Sequence, residues 1–234
     1  MLKKDPSYLM SHSNQQENRP NIGSLLTVLL GGPWLEIAAD LWKIGKKLWR
    51  GLAGEGMYEV LEHEGTLEFK DSKGKVALVR KRQKVRYRQN NILAYQDSAW
   101  GDGEIFVNYR CSPGVEVDRY KIGQKTQILI SLRDVKKKGD KDEFNIEWEH
   151  RNGFIRNVEQ WGSVANHRTK HLKLNIIFPK PRPPLQVSLV MDQPSQTVAL
   201  DKEVIRKLPD GRWIVSWEKS KPQLFRQYSL RWEW

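Results

Sequence analysis

The sequence predicts a mostly β protein, with two β-sandwich-like modules preceded by one N-terminal amphipathic α-helix. From residue 57 onward, short segments that favour strands alternate with clusters of Gly, Pro, Asn and Asp, as in sandwiches and barrels. Before them, residues 23–53 repeat apolar residues at helical spacing. The proline-rich stretch FPKPRPP, residues 178–184, breaks any strand, so we expect a β-sandwich domain at 55–178 and a C-terminal Trp-rich β module at 179–234.

The composition is that of a globular chain with excess positive charge. Of its 234 residues, 38% are hydrophobic and 29% are charged, which allows a sizeable core. The net charge of +12 favours an anionic partner, either nucleic acid or an acidic lipid surface. The basic residues are spread along the whole chain, however, so composition alone is a weak argument for nucleic acid. Ten tryptophans suggest aromatic-rich packing or an interface.

The N-terminal residues 1–21 are predicted to be a disordered leader. They are rich in Ser, Asn and Gln, and they offer too little apolar surface to offset the entropy of ordering. They also lack the apolar run of a secretory signal. Cys111 is the only cysteine, which excludes a disulfide framework and fits a reducing compartment. We therefore expect a cytoplasmic protein, peripheral at the membrane if its helix binds lipid.

Residues 22–54 are predicted to form the amphipathic helix. Pro33 suits a first helical position, and acidic residues precede basic ones, as the helix dipole prefers. On a wheel of ~100° per residue, the charged side chains lie opposite a broad apolar arc. The apolar arc comprises Trp34, Ile37, Leu41, Ile44, Leu48 and Leu52, flanked by Leu35, Trp42 and Trp49, and the charged arc comprises Glu36, Asp40, Lys43, Lys46, Lys47 and Arg50.

Three roles are open for this helix. It could pack on the sheet, lie in a membrane interface, or dock in a partner's groove. Glu36 and Asp40 weaken the membrane interpretation and prevent an uninterrupted membrane span over residues 22–42. In either binding role, the residues that insert or dock would be Trp34, Leu41, Trp42, Leu48 and Trp49, and those that contact phosphates or headgroups would include Lys43, Lys46, Lys47 and Arg50.

The rest of the chain is predicted as strands, of which the first two form a hairpin. The predicted register places Leu67 opposite Val79 and Phe69 opposite Ala77 on an apolar face. On the other face, opposite charges pair across the strands, as in Glu64 with Arg82. The predicted strands cover residues 57–70, 75–88, 91–96, 104–110, 127–133, 143–149, 171–178, 185–191, 196–200, 211–218 and 227–234.

The basic stretch VRKRQKVRYR, residues 79–88, extends beyond the acids of the preceding strand. In the predicted register Arg86 and Arg88 lie opposite Val60 and Tyr58, without acidic partners. We expect these two arginines to complete a basic, anion-binding patch with the lysines and arginine at the end of the helix. Tyr87 alternates to the opposite face, which argues against base stacking on this strand.

The sequence contains no recognisable catalytic motif, and we assign no catalytic residue, metal ligand or cofactor. Cys111 has no neighbouring base that would activate it as a nucleophile. His167 and His171 are four apart but lack a third ligand. Among enzyme functions, a metal-dependent nuclease that uses the carboxylates in YQDSAWGDGEIF would be the one to test, although Asp and Gly are also ordinary turn residues. These carboxylates are Asp97, Asp102 and Glu104.

Together these features predict a non-enzymatic binding or effector module. Its Trp/Lys helix and adjacent basic patch would engage an anionic membrane surface or a protein partner. One alternative is an accessory subunit that binds the nucleic-acid phosphate backbone through strand 79–88. Another is a structural subunit of a larger homo- or hetero-oligomer, in which the Trp-rich faces are buried between chains.

If the helix binds anionic membranes, Trp42→Glu should abolish co-sedimentation of the protein with acidic liposomes. Binding by the wild type should weaken with added salt, because each basic residue contributes about 1 kcal/mol near an anionic bilayer. Neutral liposomes are the control. Precipitation of the Trp42→Glu variant would instead indicate that the helix belongs to the core.

Overall fold

The computed structural model describes residues 56–192 and 194–234, and they form a mostly β structure, as predicted. The predicted leader and helix, with their site residues from Trp34 to Arg50, lie outside the described residues. A short 3-10 helix, Lys202–Val204, interrupts the strands. The strands are β1 Tyr58–Phe69, β2 Val76–Tyr87, β3 Ile92–Ala99, β4 Glu104–Ser112, β5 Val115–Ile122, β6 Lys125–Lys136, β7 Lys141–Arg151, β8 Val158–Val164, β9 His171–Phe178, β10 Gln186–Met191, β11 Gln196–Ala199, β12 Ile205–Lys207, β13 Trp213–Ser220 and β14 Gln227–Glu233.

The strands build one large and two small sheets. The large sheet has seven strands in the order β12-β13-β9-β1-β2-β7-β4. The four-stranded sheet has the order β11-β10-β14-β8, and the three-stranded sheet has the order β3-β6-β5. Strands from both sides of residue 178 share sheets, because β13 pairs with β9 and β14 pairs with β8. Two of the three sheets therefore contain strands from both sides of the predicted boundary between 55–178 and 179–234.

Both small sheets pack on the same face of the large sheet. From the four-stranded sheet, the ring of Trp232 packs 5.8 Å from Phe69 and 5.7 Å from Phe178, measured between centroids. From the three-stranded sheet, Tyr95 stacks on Phe144 at 3.9 Å and on Tyr58 at 5.4 Å. The buried apolar residues of all three sheets accordingly form one core.

The hairpin of β1 and β2 has the predicted register over most of its length. Leu67 lies opposite Val79 and Glu64 lies opposite Arg82, as expected. A bulge between Val60 and Glu62 then shifts the pairing by one residue. The one-residue shift changes every partner beyond the bulge.

The bulge overturns the predicted surroundings of the last two arginines. It places Glu59 opposite Arg86 and Tyr58 opposite Tyr87. Glu59, whose side chain is only 10% exposed, forms ion pairs with both Arg86 and Arg88, the latter at 3.0 Å. The expectation that these arginines lack an acidic partner is wrong, and their role in binding anions stays a prediction.

Acidic residues of both neighbouring strands also pair with Arg80 and Arg82 of the basic stretch. The guanidinium of Arg80 lies 2.6 Å from Glu68 and 2.9 Å from Glu147. Arg82 lies 2.9 Å from Glu62. Burial opposes ionisation of Glu68, but hydrogen bonds from Lys70 and Arg80 prevail and lower its pKa. The outer face of the large sheet is thus a ladder of opposite charges.

Glu59→Gln should destabilise the protein more than loss of an exposed acid of the same ladder. It removes the shared charge between Arg86 and Arg88, so we expect the free energy of unfolding to fall by about 1–3 kcal/mol. Glu143→Gln, at a side chain that is 40% exposed, should cost less than about 1 kcal/mol. Urea unfolding of the two variants measures this difference, and equal losses would contradict it.

Candidate functional site

The two small sheets leave a cleft between them on the inner face of the large sheet. Its main cavity has a volume of about 280 Å³, and a second, polar cavity of about 70 Å³ adjoins it. We call the two cavities together the seam. They share five lining residues, namely His63, Lys81, Ser98, Trp100 and Ser163.

Four neighbouring strands of the large sheet form the floor of the seam, and the edges of the small sheets form its walls. One wall is the end of β3 with the following loop, residues 98–102, and the opposite wall is β8, residues 159–163. The floor residues are His63 and Gly65 of β1, Val79 and Lys81 of β2, Trp148 and His150 of β7, and Leu174 of β9.

Polar side chains interrupt the apolar inner faces of β1 and β2 at the seam. His63 lies opposite Gln83 in the ladder, and Gly65 lies opposite Lys81. On either side along β1, the same face carries Val60 and Leu67, which are buried. The polar positions thus lie in the cleft between the two small sheets that pack on the large sheet.

A buried ion pair crosses the seam from the floor to the wall. Lys81 donates to the Asp97 carboxylate, and their side chains are 13% and 0% exposed. Asp97 also accepts hydrogen bonds from the Ser98 amide at 2.8 Å and from the Tyr109 hydroxyl at 3.2 Å. Burial, with a further contribution from Asp97, raises the pKa of Tyr109 well above its usual range. The charge of Lys81 is therefore compensated within the protein.

Three tryptophans line the seam, namely Trp100, Trp148 and Trp161. Gly65 permits the close approach of Trp161, since a Cβ at this position would lie 2.9 Å from the ring. Trp148 is only 6% exposed, and its indole Nε1 has no acceptor among the described residues. Buried indole N–H groups usually find a partner. Trp148 thus lines the seam, while its indole nitrogen is itself shielded from the cavity.

Histidines at the seam are held in the neutral state. Burial, and secondly the charge of Lys81, lower the pKa of His63 to about 3. Burial also lowers the pKa of His167 to about 4. Burial lowers the pKa of His150 as well, and the Nε2 of this residue lies 2.6 Å from the Asp102 carbonyl oxygen. Perturbed titratable groups that collect in a cleft are typical of functional sites.

The three carboxylates considered as metal ligands of a nuclease do not share a site. Asp97 pairs with Lys81 inside the seam, whereas the largely exposed Asp102 lies 2.9 Å from Arg156. Glu104 is exposed at the start of β4. Within residues 56–192 and 194–234, no group of three or more His, Cys, Asp or Glu side chains could hold a metal ion.

The remaining candidates from the sequence are not brought together either. His167 lies in the seam, 4.3 Å from the ring of Tyr58, whereas His171 begins β9 and lies 3.4 Å from Glu218. Cys111 is half-buried, and burial raises the pKa of its thiol, which is the opposite of what activates a nucleophile. Across the part of the chain that is described, no helix is long and apolar enough to cross a membrane.

Sequence reasoning missed the seam. A signal was present, because His63, Lys81 and Gln83 fall on faces that are otherwise apolar. The wall strand β8 was not among the predicted strands, so nothing indicated a free edge beside those residues.

Comparisons with known proteins add little to this description. No family model matches the sequence, and no curated protein matches it. Similar solved structures include aminopeptidase A of Legionella pneumophila in complex with aspartic acid, with 14% identity and a TM-score of 0.42 over 76% of this chain and 21% of that one. They also include the M1 zinc metallopeptidase of Deinococcus radiodurans, with 9% identity and a TM-score of 0.41 over 74% of this chain and 42% of that one.

A third similar structure is a mutant two-domain M1 zinc metallopeptidase bound to L-arginine, with 9% identity and a TM-score of 0.42 over 76% of this chain and 43% of that one. The matched region spans less than half the length of each of these proteins. Similarity at this level supports no argument about fold or activity.

The neutral state of His63 predicts a loss of stability in acid. The unfolded chain protonates this histidine below pH 6.5, whereas the folded protein does so only near pH 3, so its contribution is present above pH 6.5 and is lost as the pH falls. Relative to His63→Gln, the wild type should lose about 1.4 kcal/mol of unfolding free energy per pH unit between about pH 6 and pH 4. Denaturant unfolding at several pH values measures this, and parallel profiles for the two proteins would contradict it.

Proposed function

We propose that this chain is a non-catalytic binding module whose binding site is the seam. The observation that supports this most directly is the cleft itself, where Trp100, Trp148 and Trp161 lie beside the buried pair of Lys81 and Asp97. The unpaired indole N–H of Trp148 is a second observation, since a ligand that turns this ring towards the cavity and accepts its hydrogen bond would recover the free energy of desolvation. The tryptophans supply apolar contact, and the surrounding polar groups supply orientation.

The state of the titratable groups favours binding over catalysis. A general base works best with a pKa near the working pH, whereas that of His63 is about 3. Lys81 is tied to Asp97, and the Cys111 thiol has a raised pKa. These groups are suited to accept or donate hydrogen bonds rather than to transfer protons.

The predicted N-terminal helix would be a second binding element of the same module. Its engagement of an anionic membrane surface or a protein partner remains a proposal, for which the liposome experiment is the test. Binding of nucleic acid through strand 79–88 has less support, because acids of β1 and β7 compensate several of its arginines.

Ligand binding in the seam should change the NMR signals of its tryptophans selectively. We expect the indole ¹⁵N–H resonances of Trp148 and Trp161 to shift when N-acetyl-dipeptide amides, monosaccharides or nucleosides are added at millimolar concentration. Trp213, which lies on β13 and does not line the seam, is the internal control.

Gly65→Ala should reduce these shifts, because the added methyl group displaces Trp161. The absence of any shift at Trp148 and Trp161 with all three classes of compound, or equal shifts at Trp213, would contradict a binding role for the seam.

A further inference from the structure

We infer that the natural occupant of the seam is an extended segment of a partner protein, which adds a strand between β8 and β3. This inference rests on the proposed function of the seam as a binding site. It specifies the mode of binding and the chemistry of the partner.

Both walls of the seam are sheet edges. Among the described residues, β8 pairs with β14 alone, and β3 pairs with β6 alone. An edge strand presents unpaired N–H and C=O groups, which are a template for pairing with another chain. The two templates lie on opposite sides of the same cleft, because residues of both strands line it.

The direction of the free groups on β8 follows from its hydrogen bonds to β14. The Ala165 amide donates to the Arg226 carbonyl, and the Trp234 amide donates to the Asn157 carbonyl, each at 3.1 Å. Hydrogen-bonded pairs alternate along an antiparallel ladder, so Val158, Gln160 and Gly162 direct their backbone groups away from β14. That direction is the free edge of the sheet, where the seam lies.

The length of β8 sets the length of the added strand. β8 has seven residues, which corresponds to a segment of about 23 Å at about 3.3 Å per residue.

The charges of the seam restrict which side chains can face the floor. Lys81 is compensated by Asp97, and Arg156 at the rim is compensated by Asp102. Glu159 also lines the seam, and burial raises the pKa of its carboxyl. A carboxylate directed at the floor would be desolvated without a free cation, at considerable cost. Floor-facing residues of the segment should therefore not be acidic.

The unpaired indole N–H of Trp148 adds a requirement for a hydrogen-bond acceptor in the segment. A side-chain oxygen from Ser, Thr, Asn or Gln on the floor-facing side of the segment would accept its indole N–H once the ring turns towards the seam. The partner is therefore an extended segment of about seven residues, with non-acidic, oxygen-bearing side chains at alternate positions. A sugar or a nucleoside could satisfy the indole but would leave both strand edges unpaired.

The test uses the full-length protein and the probe peptide acetyl-Thr-Lys-Thr-Lys-Thr-Lys-Thr-amide. Its threonines can face the floor while its lysines face solvent. Two matched peptides carry methyl groups on backbone nitrogens, one peptide at its threonines and the other at its lysines. The backbone N–H groups of these two sets of residues point to opposite edges of the added strand. Each methylation should lower affinity by about tenfold or more in isothermal titration calorimetry.

Two further comparisons locate the contacts. Gln160→Pro removes one N–H that faces the seam and should weaken binding about tenfold, whereas Gln160→Ala retains the N–H and should bind within about twofold of the wild type. Replacing Thr by Val in the peptide removes the acceptor at nearly constant shape. This peptide should lose the indole shift of Trp148 and retain that of Trp161.

The outcomes separate this inference from the proposed function. Equal binding of the methylated and unmethylated peptides would overturn strand addition, as would binding of a monosaccharide or nucleoside but no peptide, and in both cases the seam remains a binding site. A dimer in sedimentation that Gln160→Pro dissociates would assign the seam to a second copy of the chain instead of a partner. A seam that responds to no probe would overturn both.

Discussion

The described structure depends on the need to cover one face of a seven-stranded sheet. Two separate sheets provide the cover, one through Trp232 over Phe69 and Phe178, the other through Tyr95 over Phe144. A cover in two parts leaves a line where the floor is shielded from bulk water but is not packed against apolar side chains. His63, Lys81 and Asp97 lie along this line.

The buried pair of Lys81 and Asp97 connects this constraint to the chemistry of the seam. It holds β3 against β2, and any other placement of the three-stranded sheet would leave one of the two charges buried and unpaired. The same contact cancels the charge that Lys81 would otherwise present to a ligand. One interaction thus stabilises the fold and removes the net charge that Lys81 would bring to the seam.

Local and cross-strand patterns made part of this structure predictable. Alternating charges predicted the register of Glu64 with Arg82, because a one-residue slip would scramble both faces of the hairpin. The bulge next to Val60 has no such signal, and missing it misplaced the partner of Arg86. β8 was missed because Gly162 and its polar neighbours dilute the alternation of a half-buried strand. The seam depends on which distant strands pair, which no local pattern records.

The pairing of β1 with β9 has a consequence for how the chain acquires its structure. β1 lies near the middle of the large sheet, yet its parallel neighbour, with Gly65 beside Leu174, comes about a hundred residues later. During synthesis, the β1–β2 hairpin can form early but must keep one edge open until most of the chain has left the ribosome. Such delayed closure slows folding and exposes the nascent chain to misassembly, so we expect chaperones to influence the yield of the native protein.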